Sequence, residues 1–553
     1  MDLITQYWAQ SCTSPSSLIH NPSMSEGRLA PDISALTSVK STMDSPFLTS
    51  TDGTTTRQAS SEGVTTRDGV DSSQTATSTH DKGISWIVCG LLIVGEMAGG
   101  GIVALPRSFA DAGLIGGIIL IIAAALTSGY TGIQLGDNWT MMQERWPIYR
   151  SVCRKPYPEM AYRSVGPVGR SCLTTIIAVQ QFGLACVFLL LSSQNIANFI
   201  HVFFGYKINF CYIVCVVTVI FWPFFMLGTV KDFWQAAVIA FISTALAVIF
   251  IIVGTSLDAP ACYTAVKYED FSFIKFFQAY AVIMFAYGGH ACFPTFQHDM
   301  KKPQDFWKSV IFGYIIVGVL YMPVAIYGAT IYGSSLVSSI IVSLQTRWTQ
   351  QAVNVLVTIH VLFVLLIVTS PLILVVEELF KTPNKLSMRR FVVRSVLLLC
   401  ILFVSLSVPR FGTILEVIGS TSITLMTMIL PGVFSLYLTA IKRKRETEKP
   451  EMSLDGEEDN EIASIADVFR YNPSYVLALN GFIILFGLVG GLIGTVSNVK
   501  ELFTSQFAVP CYVSIFLSNP TRNSSGGQAY CCGAHFNITS GGQDPAEFCA
   551  VRG

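Results

Sequence analysis

Long uninterrupted apolar runs constrain this chain more than any other feature. Ile118–Leu126, Phe182–Leu191 and Val361–Leu374 lie inside segments long enough to cross about 30 Å of hydrocarbon as helices. Only 13% of the 553 residues are charged and 52% are apolar, whereas soluble domains carry roughly a quarter charged residues. Lys and Arg balance Asp and Glu, giving a formal net charge of zero, which argues against a nucleic-acid partner. The first apolar run begins near Ile84, so no signal peptide is expected.

Residues 1–82 are of another kind, rich in Ser, Thr, Gly and Asp, as in Thr49–Thr56 and Asp71–Thr79. They hold too little apolar surface to offset the entropy of ordering and are expected to form a disordered cytoplasmic tail. From residue 83 to 497, breaks rich in charge or turn residues separate eleven expected spans. They lie near 84–105, 112–137, 171–200, 210–229, 234–256, 272–298, 307–332, 350–376, 391–409, 415–441 and 473–497. Pro106 with Asp111-Ala112-Gly113 marks the expected turn between the first two. The fold class is therefore an all-α integral membrane protein embedded in lipid.

Basic residues set the expected orientation, because cytoplasmic loops retain them. One set of loops carries Arg145 to Arg170, Lys301 to Lys308, Lys381 to Arg394 and the run Lys442–Arg445, whereas the alternate loops hold little beyond Lys207, Lys267, Arg347 and Arg410. The N-terminus is expected in the cytoplasm and, with an odd span count, the C-terminus outside or in a lumen. Residues 498–553 agree on independent grounds. They carry the glycosylation sequons at Asn523 and Asn537 and the cysteines Cys511, Cys531, Cys532 and Cys549, chemistry suited to an oxidising compartment. Cys211 and Cys262 fall on the same side and form a further candidate pair, with connectivity left open. Which membrane holds the chain, plasma or endolysosomal and vesicular, is open as well.

Spans one to five occupy about 84–256 and spans six to ten about 271–441, two nearly equal halves. Because five is odd, they enter the membrane from opposite sides, the layout of inverted-repeat transporters. The first helix of each half is interrupted. Span one reads Gly95-Glu96-Met97-Ala98-Gly99-Gly100-Gly101-Ile102 and reaches Pro106; span six reads Phe285-Ala286-Tyr287-Gly288-Gly289-His290 and reaches Pro294. Each glycine costs a helix about 1 kcal/mol relative to alanine, and proline weakens it further. Such breaks free amides at one half-helix start and carbonyls at the other half-helix end, a set suited to a zwitterion. For a single break, close helix packing through small residues explains the glycines equally well; two breaks at matching positions favour a site.

At these residues the chain resembles the amino acid/auxin permease family. Gly99-Gly100-Gly101-Ile102 with Leu105-Pro106 is similar to its first-helix motif, and Tyr287–His290 with Phe293-Pro294 and Asp299-Met300-x-x-Pro303 to its sixth-helix block. Tyr157-Pro158 to Gly169, and Leu415 with Gly419-Ser420, also fit. The resemblance covers about residues 83–497. It implies a LeuT-type fold with an eleventh span added to the repeats, and secondary active transport of amino acids, often driven by protons. It fixes neither the substrate nor the coupling ion, H+ or Na+.

The expected substrate site therefore comprises Ala98, Gly99, Gly100, Gly101 and Ile102 from span one, Phe285 through His290 from span six, and Gln181 from span three. Glu96, deep in span one, where a carboxylate is costly and usually functional, either carries a coupling proton or braces the broken helix. His290 either touches substrate or gate, or is a satisfied structural histidine. Thr369 and Ser370 in span eight are candidate sodium ligands together with carbonyls near Ala98, or bond back to their own helix. His360 in the same span has no such context and is read as structural. Glu416 at the outer end of span ten is a candidate gate residue. No protease, phosphate-loop or metal-spaced motif occurs, so no enzyme activity and no cofactor is expected. The alternative to a transporter is an amino-acid sensor that signals through the tail 1–82.

Overall fold

The glycine-rich stretch after Met97 ends the first helix, and the chain bends there by 58° before a second helix begins at Gly100. The computed structural model describes residues 83–150, 153, 155–206, 208–226, 234–263, 266–268, 270–383, 387–408, 410–448, 461–504, 510–514, 531 and 532. The Ser/Thr-rich stretch 1–82, Asn523, Asn537 and Cys549 lie outside these residues.

The first helices are α1 (Trp86–Met97), α2 (Gly100–Ala112), α3 (Leu114–Arg145), α4 (Pro156–Val165), α5 (Pro167–Phe204), α6 (Phe210–Met226) and α7 (Trp234–Cys262). Then come α8 (Phe273–Ala286), α9 (Phe293–His298), α10 (Phe306–Tyr332), α11 (Arg347–Leu379), α12 (Met388–Ser407), α13 (Phe411–Ile418) and α14 (Leu430–Glu448). The last are α15 (Ile465–Tyr471), α16 (Ser474–Thr504) and α17 (Cys511–Ser514). Eight of the described helical stretches are long and apolar enough to cross a membrane, or nine when the bent pair α1–α2 is taken as one span. Helices α6 and α8 are apolar but shorter, and fall on the fourth and sixth expected spans. Among the described residues there is no strand beyond an isolated bridge between Ile84 and Met300.

Two expectations change. Pro106 does not mark a turn: it lies inside α2, and the chain reverses only at Gly113, whose φ of 73° is the left-handed conformation glycine adopts without penalty. The proline is tolerated because its ring packs on α10 at Gly328, where an added Cβ would come within 2.9 Å of it. Cys211 and Cys262 do not pair with each other. Cys211, at the start of α6, is bonded to Cys511 (Cα–Cα 5.5 Å), and Cys262, at the end of α7, to Cys532 (Cα–Cα 5.0 Å). Cys511 and Cys532 both follow α16, so each thiol meets a partner distant in sequence.

Helix α11 packs along α7 and α5, α10 against α1 and α2, and α8 against α2. The two ends of α11 are fixed by charge. At its start the buried carboxylate of Asp258, from α7, accepts hydrogen bonds from the Tyr332 hydroxyl (2.6 Å), the Gln345 amide (2.7 Å), and the Thr346 amide and hydroxyl (3.1 and 2.6 Å). At its other end Glu377 accepts from Arg390 (2.7 Å) and Arg394 (2.6 Å) of α12. Asp258→Asn puts an amide N–H among donors and is expected to cost about 1–3 kcal/mol; a thermal melt of the detergent-solubilised protein, lowered by several degrees, checks this. An unchanged melting temperature would mean that the loop before α11 is held by other contacts.

Between α13 and α14 the helix is wound as two π turns, Gly419–Ile423 and Leu425–Ile429. This widened stretch lies against α8: a Cβ on Gly419 would overlap the Ala281 carbonyl. It thereby brings Ile423 beside the interruption that follows α8.

Candidate functional site

Both interruptions expected from the glycines are present, and they are packed against each other. In the first, α1 stops at Met97, Ala98 and Gly99 leave helical geometry, and Gly100 opens α2. In the second, α8 stops at Ala286 and α9 opens at Phe293. A Cβ on Gly101 would stand 2.8 Å from the Cα of Ala286, and one on Gly289 would stand 3.1 Å from Met97. Only residues without a side chain let the two backbones approach this closely.

The interruptions leave backbone groups without helical partners. No backbone carbonyl among the described residues accepts from the amides of Gly289, His290 or Ala291. At the first interruption, the Gly99 amide turns back to the Met97 carbonyl (2.9 Å) and Ile102 to Gly99 (3.1 Å), while Gly100 and Gly101 open α2, where no preceding turn supplies acceptors. Side chains also reach the carbonyls at both breaks. The Tyr321 hydroxyl of α10 lies 2.6 Å from the Met97 carbonyl and 2.9 Å from the Ala286 carbonyl, and thus bridges the two interruptions. The Thr244 hydroxyl of α7 donates to the Ala98 carbonyl at 2.8 Å.

Side chains from other helices wall the site. Phe188 and Leu191 of α5 face Gly100, Ile423 of the π-wound stretch faces Gly288, and His360 of α11 faces Gly99. Phe285, Ala286 and Tyr287 are buried at the end of α8, and the Tyr287 ring stacks on Tyr314 and meets Tyr321 edge-on. Ile102 is buried in the first turn of α2.

Glu96 accepts from the Cys292 thiol at 3.5 Å, which ties the end of α1 to the second interruption. Gln181 of α5 reaches the same thiol, and its side-chain oxygen is buried without a donor. His290 turns away from the first interruption towards α3. Its Nε2 lies 3.0 Å from the Ser128 carbonyl and 3.2 Å from the Thr131 hydroxyl, and its ring stacks on Phe293. Since a carbonyl only accepts, Nε2 carries the proton.

Thr369 and Ser370 donate to Leu365 and Leu366 of their own helix. Thr369 is nine residues beyond His360, about 13.5 Å along the helix axis at 1.5 Å per residue, so the pair is not brought beside Ala98. Glu416 sits at the far end of α2, in the electrostatic neighbourhood of Asp111, Arg107 and Glu501, where Arg107 binds Asp111 through both carboxylate oxygens (2.6 and 2.9 Å).

Two residues at the interruptions, Tyr321 and Thr244, have no signal in the sequence, and a third, His360, reads from the sequence as structural. Each lies in an apolar helix away along the chain from the interruption residues it meets. For His360 a general signal exists, since an ionisable residue inside a membrane span is functional by default.

Residues 82–454 match the family model described as transmembrane amino acid transporter protein. Lysine histidine transporter-like 1 of Arabidopsis thaliana is 23% identical, covering 66% of this chain and 83% of that protein. Auxin transporter-like protein 4 of Medicago truncatula is 24% identical over 77% of this chain and 86% of its own length. Among solved structures, a manganese transporter from Eremococcus coleocola is similar at 13% identity and a TM-score of 0.47, covering 80% of this chain and 91% of that one.

Proposed function

Because the chain belongs to the transmembrane amino acid transporter family, we propose that it is a secondary active transporter that moves an amino acid across a membrane by alternating access, driven by protons. Eleven spans, with five-plus-five inverted repeats of LeuT type and the last span added, form the carrier, with the N-terminus in the cytoplasm and the C-terminus outside or in a lumen. The observation that carries this reading is the apposition of the two interruptions, which gathers freed amides and carbonyls in one place.

The substrate carboxylate fits the amides of Gly100 and Gly101 and those after Gly288, at half-helix starts whose dipoles favour an anion. Its ammonium fits the carbonyls at the half-helix ends and the donor-free oxygen of Gln181. Phe188, Leu191 and Ile423 exclude water from the side chain.

The purified protein in proteoliposomes, given each of the common amino acids as tracer with pH and sodium varied separately, tests the reading. Accumulation of at least one amino acid with an inward proton gradient is the expected result. Absence of uptake for every one would overturn it, and accumulation that follows sodium alone would replace the driving ion.

A further inference from the structure

We propose that His360 is the group that binds the driving proton, at a site made by α7, α11 and the first interruption; this rests on the transporter reading above. The ring is 1% exposed. Its Nδ1 lies 2.9 Å from the Ala240 carbonyl and 2.7 Å from the Thr244 hydroxyl. A carbonyl only accepts, so Nδ1 holds a hydrogen and the neutral ring has its lone pair on Nε2. That nitrogen has no hydrogen-bond partner, and it points at the backbone of Gly99, where a Cβ would overlap it and lie 3.0 Å from the neighbouring ring carbon.

Size decides what Nε2 can take. The gap at Gly99 is smaller than one methyl group, so neither the ammonium of an amino acid nor a metal ion with its oxygen shell fits between ring and backbone. A proton does. The step is a simple protonation: the Nε2 lone pair takes H+ from hydronium, which leaves as water, Nδ1–H is retained, and the ring gains one positive charge.

The groups facing the ring are neutral. They are the Ala240 carbonyl and Thr244 hydroxyl of α7 and the Gly99 backbone. Glu96, on α1, is turned to Cys292. From α5, the Asn195 carbonyl accepts from Asn354, also uncharged, and the charged contact, Arg347 of α11 to the Val202 carbonyl, lies 13 residues before His360, about 20 Å along the axis at 1.5 Å per residue. The Glu377 ion pairs with α12 are 17 residues further on, about 25 Å along the axis at 1.5 Å per residue. A charge on His360 therefore acts chiefly on the first interruption. It is attracted by the carbonyl end of α1, and a substrate carboxylate on the first amides of α2 lies on the other side of the same glycines. Each of the two ligands then favours binding of the other, reciprocally.

His360→Gln, which cannot take a proton, is expected to lower pH-driven accumulation by about tenfold or more while exchange of internal for external amino acid survives. The wild type and variant are compared in proteoliposomes at about pH 5.5 and about pH 7.5, on either side of the usual histidine range. Thr244→Val leaves the imidazole in place but removes its link to Ala98, and is expected to shift the midpoint pH of uptake. His360→Gln with the wild-type proton drive, or Thr244→Val with an unmoved midpoint, would overturn the proposal. Uptake of no amino acid by the wild type would overturn the transporter reading itself, and this proposal with it.

Discussion

Gly101→Val is expected to reduce uptake by about a hundredfold or more, as misplacing a site by an ångström does, with the protein still present in the membrane. An added Cβ would stand 2.8 Å from both Cα and Cβ of Ala286, and a backbone atom cannot step aside without moving α8 off α2. Gly100 provides the contrast. There a Cβ would meet the edge of the Phe188 ring at 3.1 Å, and a ring can turn. Gly100→Ala is therefore expected to cost only a few-fold, within about 1 kcal/mol. Tracer uptake per reconstituted molecule compares the two. Equal losses would mean that the glycines serve flexibility rather than close approach.

Tyr321→Phe is expected to reduce uptake by about tenfold to a hundredfold. The change removes one oxygen: the Met97 carbonyl keeps the Gly99 amide as donor, but the Ala286 carbonyl loses its hydroxyl partner. A buried polar group deprived of its partner costs about 1–3 kcal/mol, and each 1.4 kcal/mol is about a factor of ten in rate. The ring contacts with Tyr287 are kept, so a loss of uptake in protein that is still folded at the assay temperature identifies the hydroxyl as the cause. Wild-type uptake in the variant would mean that water replaces the hydroxyl at both carbonyls.

The sequence made the interruptions legible because glycine acts locally. Gly99–Gly101 and Gly288-Gly289 weaken a helix whatever surrounds them, and the structure interrupts the helices at both. Pro106 misled for a related reason: its cost depends on the neighbour, and Gly328 of α10 makes room for its ring. The partners of Cys211 and Cys262 depend on where a distant segment returns, which no spacing encodes. Polar residues beside a motif drew attention, yet His290 is directed into α3 while His360, seventy residues further on, lies against Gly99. Sequence proximity to a break ranks candidates poorly because helices packed side by side bring together residues that are remote along the chain. Tyr321 had no signal at all, being one aromatic in an apolar helix.

The two bonds from Cys211 to Cys511 and from Cys262 to Cys532 enclose a large part of the molecule. Helices α8 to α16, which include one interruption, the π turns and His360, all lie within both covalent loops. A single cut in the backbone anywhere between residues 262 and 511 therefore releases no fragment. The nicked chain remains one molecule, its two pieces held at the ends of α6 and α7, until the bonds are reduced.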